Sequence, residues 1–143
     1  MTRRGCVLCR PQLETPVLRA SRFWRVALNR NQNQLGKSMI VLRRHTEDVV
    51  LLSPEEWSEL HAEIEWVTER LRGAFSPDHF NYSFLQNQDR HVHLHVIPRY
   101  IGTREVAGAE FFDPEYPARY LEPAADERIV DRAVLTAIAA AFG

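Results

Sequence analysis

The run His91-Val92-His93-Leu94-His95-Val96-Ile97-Pro98-Arg99 limits what this chain can fold into more than any other stretch. Three histidines alternate with apolar residues, and a period of 2 places residues i, i+2 and i+4 on one face of a β-strand. A strand rises about 3.3 Å per residue, so the imidazoles would stand in a row roughly 6.5–7 Å apart. Val92, Leu94 and Val96 would fill the opposite face and enter the core. As a helix, the same residues would scatter the histidines around the circumference and leave the apolar ones no common side. A lone histidine is usually a half-buried, hydrogen-bonded residue. Three in register, half of the six in the chain, need more than that. Imidazoles lined up in this way can meet a metal or a phosphate.

The rest of the chain reads around that strand. Phe23 to Asn29 and Met39 to Arg43 are rich in aromatic and β-branched residues and predict two strands joined by a polar, amide-rich connection. His45 follows in a polar turn. Ser53-Pro54-Glu55-Glu56 starts a helix, with Ser53 as the cap, Pro54 at the first helical position and Glu56 completing a capping box. Trp57, Leu60, Ile64, Val67, Leu71 and Phe75 then recur at helical spacing up to Ser76-Pro77. His61 on that helix reads as a surface residue. Phe80 to Leu85 predicts a strand that pairs with the histidine strand through the turn Gln86-Asn87-Gln88-Asp89-Arg90. Gly102 to Tyr120 reads as an irregular, aromatic-rich segment, and Asp126 to Phe142 as a last helix. The pattern is α+β, a mostly antiparallel sheet with helices on one face.

At 143 residues and 45% apolar, the chain predicts a single domain with one core. Its formal net charge of −1 gives no electrostatic case for duplex nucleic acid. No run approaches the roughly 18–20 apolar residues that cross a bilayer. The N-terminal arginines lack an apolar segment after them, so the expectation is a cytoplasmic protein without a secretory signal. The two cysteines form Cys6-Val7-Leu8-Cys9. Without a secretory signal a structural disulfide is the poorer account. Cys-x-x-Cys reads instead as half a zinc site or a redox pair, with two unrelated reduced thiols as the plain alternative. The redox reading expects a strand before the motif and a helix after it, and Pro11 follows too soon. A zinc site would take its other two ligands from elsewhere, histidine first.

His91-Val92-His93-Leu94-His95-Val96-Ile97 resembles the motif of the histidine triad (HIT) family, His-φ-His-φ-His-φ-φ with φ apolar, at every position. The likeness extends from Cys6 to Tyr100, through the strand ending in Asn29, Gly36 before the next strand, Arg44-His45 after it, and the helix start Leu52-Ser53-Pro54-Glu55. The resemblance implies a five-stranded antiparallel sheet with helices packed on it, formed by one domain over residues 1–143. Residues 1–22 would be an N-terminal zinc-knuckle segment, and residues 101–143 a variable C-terminal extension. It further implies a homodimer, nucleotide substrates, and nucleotidyl transfer or hydrolysis at the α-phosphate of dinucleoside polyphosphates or nucleoside phosphoramidates.

By the same resemblance His93 is the nucleophile and His95 contacts phosphate. An imidazole nitrogen is nucleophilic at neutral pH when its other nitrogen is tied to an acceptor. Asn29 corresponds to a nucleoside contact, Asn87 and Gln88 to phosphate contacts, and Leu28 and Leu42 to base contacts. Cys6, Cys9, His45 and His91 correspond to the structural zinc ligands of bacterial members. Two departures stand out. Lys37 follows Gly36 where many members carry a fourth histidine, and a lysine meets phosphate as a point charge. The glycine-rich loop before the triad is also missing. Phe111, Phe112 and Tyr116 read as packing or dimer contacts.

Two other functional classes compete with the covalent enzyme. One is a nucleotide-binding or regulatory module with little catalysis, for which Lys37 and the absent glycine loop argue. The other takes His91, His93 and His95 as a catalytic metal site, but alternate strand positions usually supply two ligands rather than three.

Overall fold

A computed structural model describes residues 3–86, 88–118 and 127–143. Five strands, β1 (Val17–Ala20), β2 (Trp24–Leu28), β3 (Ser38–Leu42), β4 (His79–Ser83) and β5 (His93–Arg99), form one sheet in the order β1-β2-β3-β5-β4. Every pairing is antiparallel. Between β3 and β4 runs helix α1 (Pro54–Phe75). Ser53 caps it by accepting from Glu56 N, while the Glu56 carboxylate accepts from Ser53 N, so the predicted capping box is present. A hairpin of β6 (Arg104–Val106) and β7 (Ala109–Phe111) follows the sheet, and α2 (Arg132–Ala140) ends the chain. Among the described residues no helix is long and apolar enough to cross a membrane.

The alternation read in the sequence sorts the two faces of the sheet. Trp24, Val26, Leu28, Ile40, Leu42, Leu94 and Val96 form the core with Leu60, Val67 and Leu71 of α1 and Val134 and Ile138 of α2. Leu28 and Leu42 are therefore core residues under α1 and not base contacts, because they fall on the opposite phase of their strands from the histidines. Trp57, expected on the buried stripe, is 42% exposed and sits at its rim, edge-on to Phe84. His61 is exposed and paired with Glu65 one turn on. Gly36 has φ +81°, and a Cβ there would lie 2.5 Å from Leu71 Cδ2, so this position needs glycine both for its backbone and for the approach of α1.

Several boundaries differ from the sequence reading; β5 starts at His93, so His91 and Val92 precede the strand instead of belonging to it. β1 lies within residues 1–22, so that segment is a short knuckle followed by an edge strand; its mostly exposed residues carry no alternating apolar signal. β4 runs His79–Ser83 rather than Phe80 to Leu85. The segment 102–120 contains the β6–β7 hairpin, turned by Ala107 (φ 50°) and Gly108 (φ 81°), two positive-φ residues of the kind such tight turns require. α2 begins at Arg132, where the Asp131 side chain accepts from Val134 N. The chain before it instead bridges Ile129 to Asn31 and accepts at Arg128 O from Gln32 N. Phe111 is buried, Phe112 is 64% exposed, and Tyr116 stacks on His79.

Candidate active site and metal centre

His93 and His95 lie on the face of the sheet opposite α1. Strand pairing sets Val41 beside His93 and Met39 beside His95. Their rings meet edge to face, with centroids 4.8 Å apart. His93 is buried, and its Nδ1 is 2.6 Å from the backbone carbonyl of His91. A carbonyl only accepts, so Nδ1 carries the proton and Nε2 keeps its lone pair. That is the tautomer a histidine nucleophile needs.

His95 is oriented from the neighbouring strand. Asn29 Nδ2 donates to His95 Nδ1 across 3.3 Å, which leaves the proton on Nε2 as a donor. Burial, followed by the nearby charges of His93 and Lys37, pushes His95 down to about 3. The ring is therefore neutral at physiological pH. It can share a hydrogen bond with an oxyanion, but it holds no spare proton to give away.

His91 points elsewhere. Its Nε2–H donates to Leu42 O at 2.5 Å, and its Nδ1 turns toward the N-terminal cysteines. That nitrogen lies 3.5 Å from Cys6 Sγ, 3.4 Å from Cys9 Sγ and 3.2 Å from His45 Nδ1, and Cys9 Sγ is 3.3 Å from His45 Nδ1. All four ligand atoms fall within 4.8 Å of one another. A tetrahedral zinc bound at about 2.3 Å to sulfur and about 2.0–2.1 Å to nitrogen holds its ligand atoms roughly 3.3–3.8 Å apart. These separations match that cage, and the donor set, two thiols and two imidazoles, is one zinc prefers. Burial keeps His91 neutral and pushes the Cys6 thiol up, so a bound cation would displace a proton from sulfur. The three histidines of the row do not converge on one point. His91 serves the cysteine cluster, while His93 is tied to a carbonyl.

Several contributors carried no sequence signal. Arg25 donates to the carbonyls of Leu8, Arg10 and Pro11 and so clasps the Cys6–Cys9 turn to β2. The carbonyls of Leu42 and His91 set two tautomers, and a carbonyl is common to every residue type. Asn33 was missed as well: its Oδ1 accepts from Lys37 Nζ at 2.7 Å. Lys37 itself is buried, and register places it on the histidine face, two residues before Met39. Gln88 is exposed on the connection into β5, and Asn87 lies outside the described residues.

The sequence matches no protein-family model and no curated protein. Its structure is similar to solved ones. A histidine triad protein from Sinorhizobium meliloti aligns with TM-score 0.72 at 20% identity, covering 90% of this chain and 87% of that one. A member of the HIT family from Bacillus subtilis aligns with TM-score 0.64 at 18% identity over 96% and 94%. A zinc-bound histidine triad family protein from Mycobacterium smegmatis aligns with TM-score 0.58 at 19% identity over 90% and 86%. With its strand order, its histidine row and these alignments, the chain has the histidine triad fold.

Proposed function

We propose that the protein is a nucleotide hydrolase or nucleotidyl transferase that works through a covalent nucleotidyl-His93 intermediate. The observation that carries this reading is the 2.6 Å bond from His93 Nδ1 to His91 O, which leaves Nε2 with its lone pair. Nε2 attacks the α-phosphorus and the bond to the leaving group breaks. Water then attacks the phosphorus and gives up a proton to solvent, while the P–N bond breaks and returns its electron pair to Nε2. His95, oriented by Asn29, offers Nε2–H to a phosphate oxygen. A donor of this kind in a site that excludes water is worth on the order of 3–4 kcal/mol to the transition state. Asn29, Lys37, Asn87 and Gln88 are the proposed substrate contacts.

Cys6, Cys9, His45 and His91 would hold a structural zinc. When bound, the metal supplies a fixed cross-link between the N-terminal turn and the sheet. A homodimer is proposed through β4, an outer strand of the sheet that presents Tyr82 at 48% exposure with Leu85 just beyond it. The free thiols suit a reducing compartment such as the cytoplasm.

The test is incubation with diadenosine tetraphosphate and with adenosine 5′-phosphoramidate, followed by chromatography. AMP from either, lost in His93→Ala, supports the reading. No product from either, with the variant indistinguishable from wild type, refutes it. The second reading, a binding module with little catalysis, rests on Lys37 standing where a fourth histidine was expected. It predicts AMP binding without any protein-linked nucleotide.

A further inference from the structure

We propose that Gln32 is a positioning residue for the phosphate site: clamped by the chain at Arg128, it fixes the main chain of Asn29 and so sets the imidazole of His95. The proposal rests on the covalent reading above and deepens it by naming what holds the proposed phosphate contact in place.

The geometry begins where the β2–β3 ladder ends. Asn29 N donates to Lys37 O at 2.9 Å, one step beyond the last paired residues of the two strands, Leu28 and Ser38. Gln32 is fully buried in the loop that follows. Its Nε2 donates to the carbonyls of Asn29 and Lys37, both at 2.8 Å, and its Oε1 accepts from Gly36 N at 2.9 Å. Both hydrogens of the amide and its oxygen are used inside the loop, and the main chain of Asn29 is held at its N–H and at its carbonyl. The Asn29 side chain has less support. Nδ2 donates to His95 Nδ1, while Oδ1 has no hydrogen-bond partner among the described residues. A side chain with a single polar contact takes its direction from its backbone, so the aim of Nδ2 depends on Gln32.

Gln32 is itself held from the far end of the chain. Gln32 N donates to Arg128 O at 2.8 Å, and Arg128 N donates to Asn31 Oδ1 at 2.8 Å. The Arg128 side chain is fixed in turn. Its Nη1 donates to Glu110 O, and its guanidinium carbon lies 4.0 Å from the centroid of the Phe111 ring. A relay of hydrogen bonds therefore runs from Arg128 through Gln32 and Asn29 to His95. Its consequence is chemical. The His95 ring is neutral at physiological pH, and with Nδ1 occupied as an acceptor its proton stays on Nε2, the form that donates to a phosphate oxygen. Without the Asn29 donor, a neutral imidazole divides between two tautomers. The one protonated at Nδ1 turns a lone pair toward the phosphate and repels it. Gln32 meets neither substrate nor reacting atoms, so its effect falls on the transition state through His95.

The test follows the histidine ring nitrogens by NMR, and turnover of diadenosine tetraphosphate, in wild type, Asn29→Ala, Gln32→Met, Arg128→Ala and a double variant combining Asn29→Ala with Gln32→Met. At neutral pH, wild-type His95 is expected to carry its proton on Nε2. Gln32→Met should move the His95 nitrogens toward mixed tautomers, as Asn29→Ala does, and leave those of His93 in place. Arg128→Ala should do the same to a smaller extent. Gln32→Met should lower kcat by about tenfold while KM changes by less than about threefold. The double variant should lose no more than about twofold beyond Asn29→Ala, because both act through one contact. A wild-type His95 protonated on Nδ1 overturns the proposal. So does a folded Gln32→Met whose His95 signals stay put or move together with those of His93, the mark of a merely structural loosening. Losses that multiply in the double variant overturn it as well. Should Gln32→Met not fold, Arg128→Ala decides, and unmoved His95 nitrogens there overturn the proposal. Absence of turnover by wild type refutes the covalent reading, whereas the His95 nitrogens decide separately whether Gln32 sets the ring.

Discussion

The backbone carbonyl of His91 accepts a 2.6 Å hydrogen bond from His93 Nδ1, while the side chain of the same His91 reaches the cysteine cluster. One residue therefore holds the proposed nucleophile with its main chain and a metal-binding turn with its ring. Its other nitrogen is tied down by Leu42 O, so the ring cannot rotate without giving up both contacts. Stability of the N-terminal turn and orientation of His93 are linked through this one residue.

Metal removal should show that link in stability. Chelation at neutral pH is expected to lower Tm by about 10 °C, corresponding to roughly 3 kcal/mol for a chain of this size. Added zinc should restore it, and Cys9→Ser should show neither effect. Differential scanning calorimetry with and without chelator makes the comparison.

Arg25 should tune metal affinity without being a ligand. Its guanidinium holds three carbonyls of the knuckle, at Leu8, Arg10 and Pro11. Arg25→Gln is expected to weaken zinc binding by about 10–100-fold, the usual loss when the supporting shell of a site is removed. Competition with a chromophoric chelator reads this directly.

Gly36→Ala should be strongly destabilising. The new Cβ would meet Leu71 Cδ2 at 2.5 Å, and φ is +81°. Left-handed backbone and overpacking together cost about 3 kcal/mol. Urea denaturation gives the value, and an effect below about 1 kcal/mol would show that α1 can move away.

Acid should weaken the fold partly through Glu56. Its buried carboxylate pairs with Arg44 at 2.7 Å, and the Arg44 hydrogen bond holds it below the usual carboxylate range. A carboxylate lowered in the folded state stabilises above the unfolded value, and the contribution is lost as pH falls through the folded one. Wild type should therefore exceed Glu56→Gln by about 2 kcal/mol at pH 7. The gap should narrow below pH 4.5 and close once Glu56 is protonated in both states, as followed by urea titrations across that range.

Where side-chain identity carried the information, the sequence was readable. The alternation of His93 to Val96, the capping box at Ser53 and Glu56, and the stripe Leu60, Val67, Leu71 each appear in the structure as expected, whereas His91 lies before the strand and turns its ring to the cysteines. Cys6, Cys9, His45 and His91 come together although 82 residues separate Cys9 from His91. Other features were hidden because their signal is weak or lies in the backbone. β1 is an exposed edge strand with no apolar alternation, and the β6–β7 turn uses Ala107 in a conformation that alanine rarely adopts. The carbonyls that set the histidine tautomers belong to the main chain. Lys37 was visible as a departure from the triad family pattern, but its partner Asn33 was one amide among several in a loop whose folding only coordinates reveal.

The central claim, a nucleotide carried on His93, is tested most directly by intact-mass and peptide mass spectrometry of protein quenched in acetonitrile during turnover of diadenosine tetraphosphate. The predicted result is a mass gain of one adenylyl group on the peptide bearing His93, absent from His93→Ala. An adduct on another residue, or undiminished turnover by His93→Ala, would contradict the account.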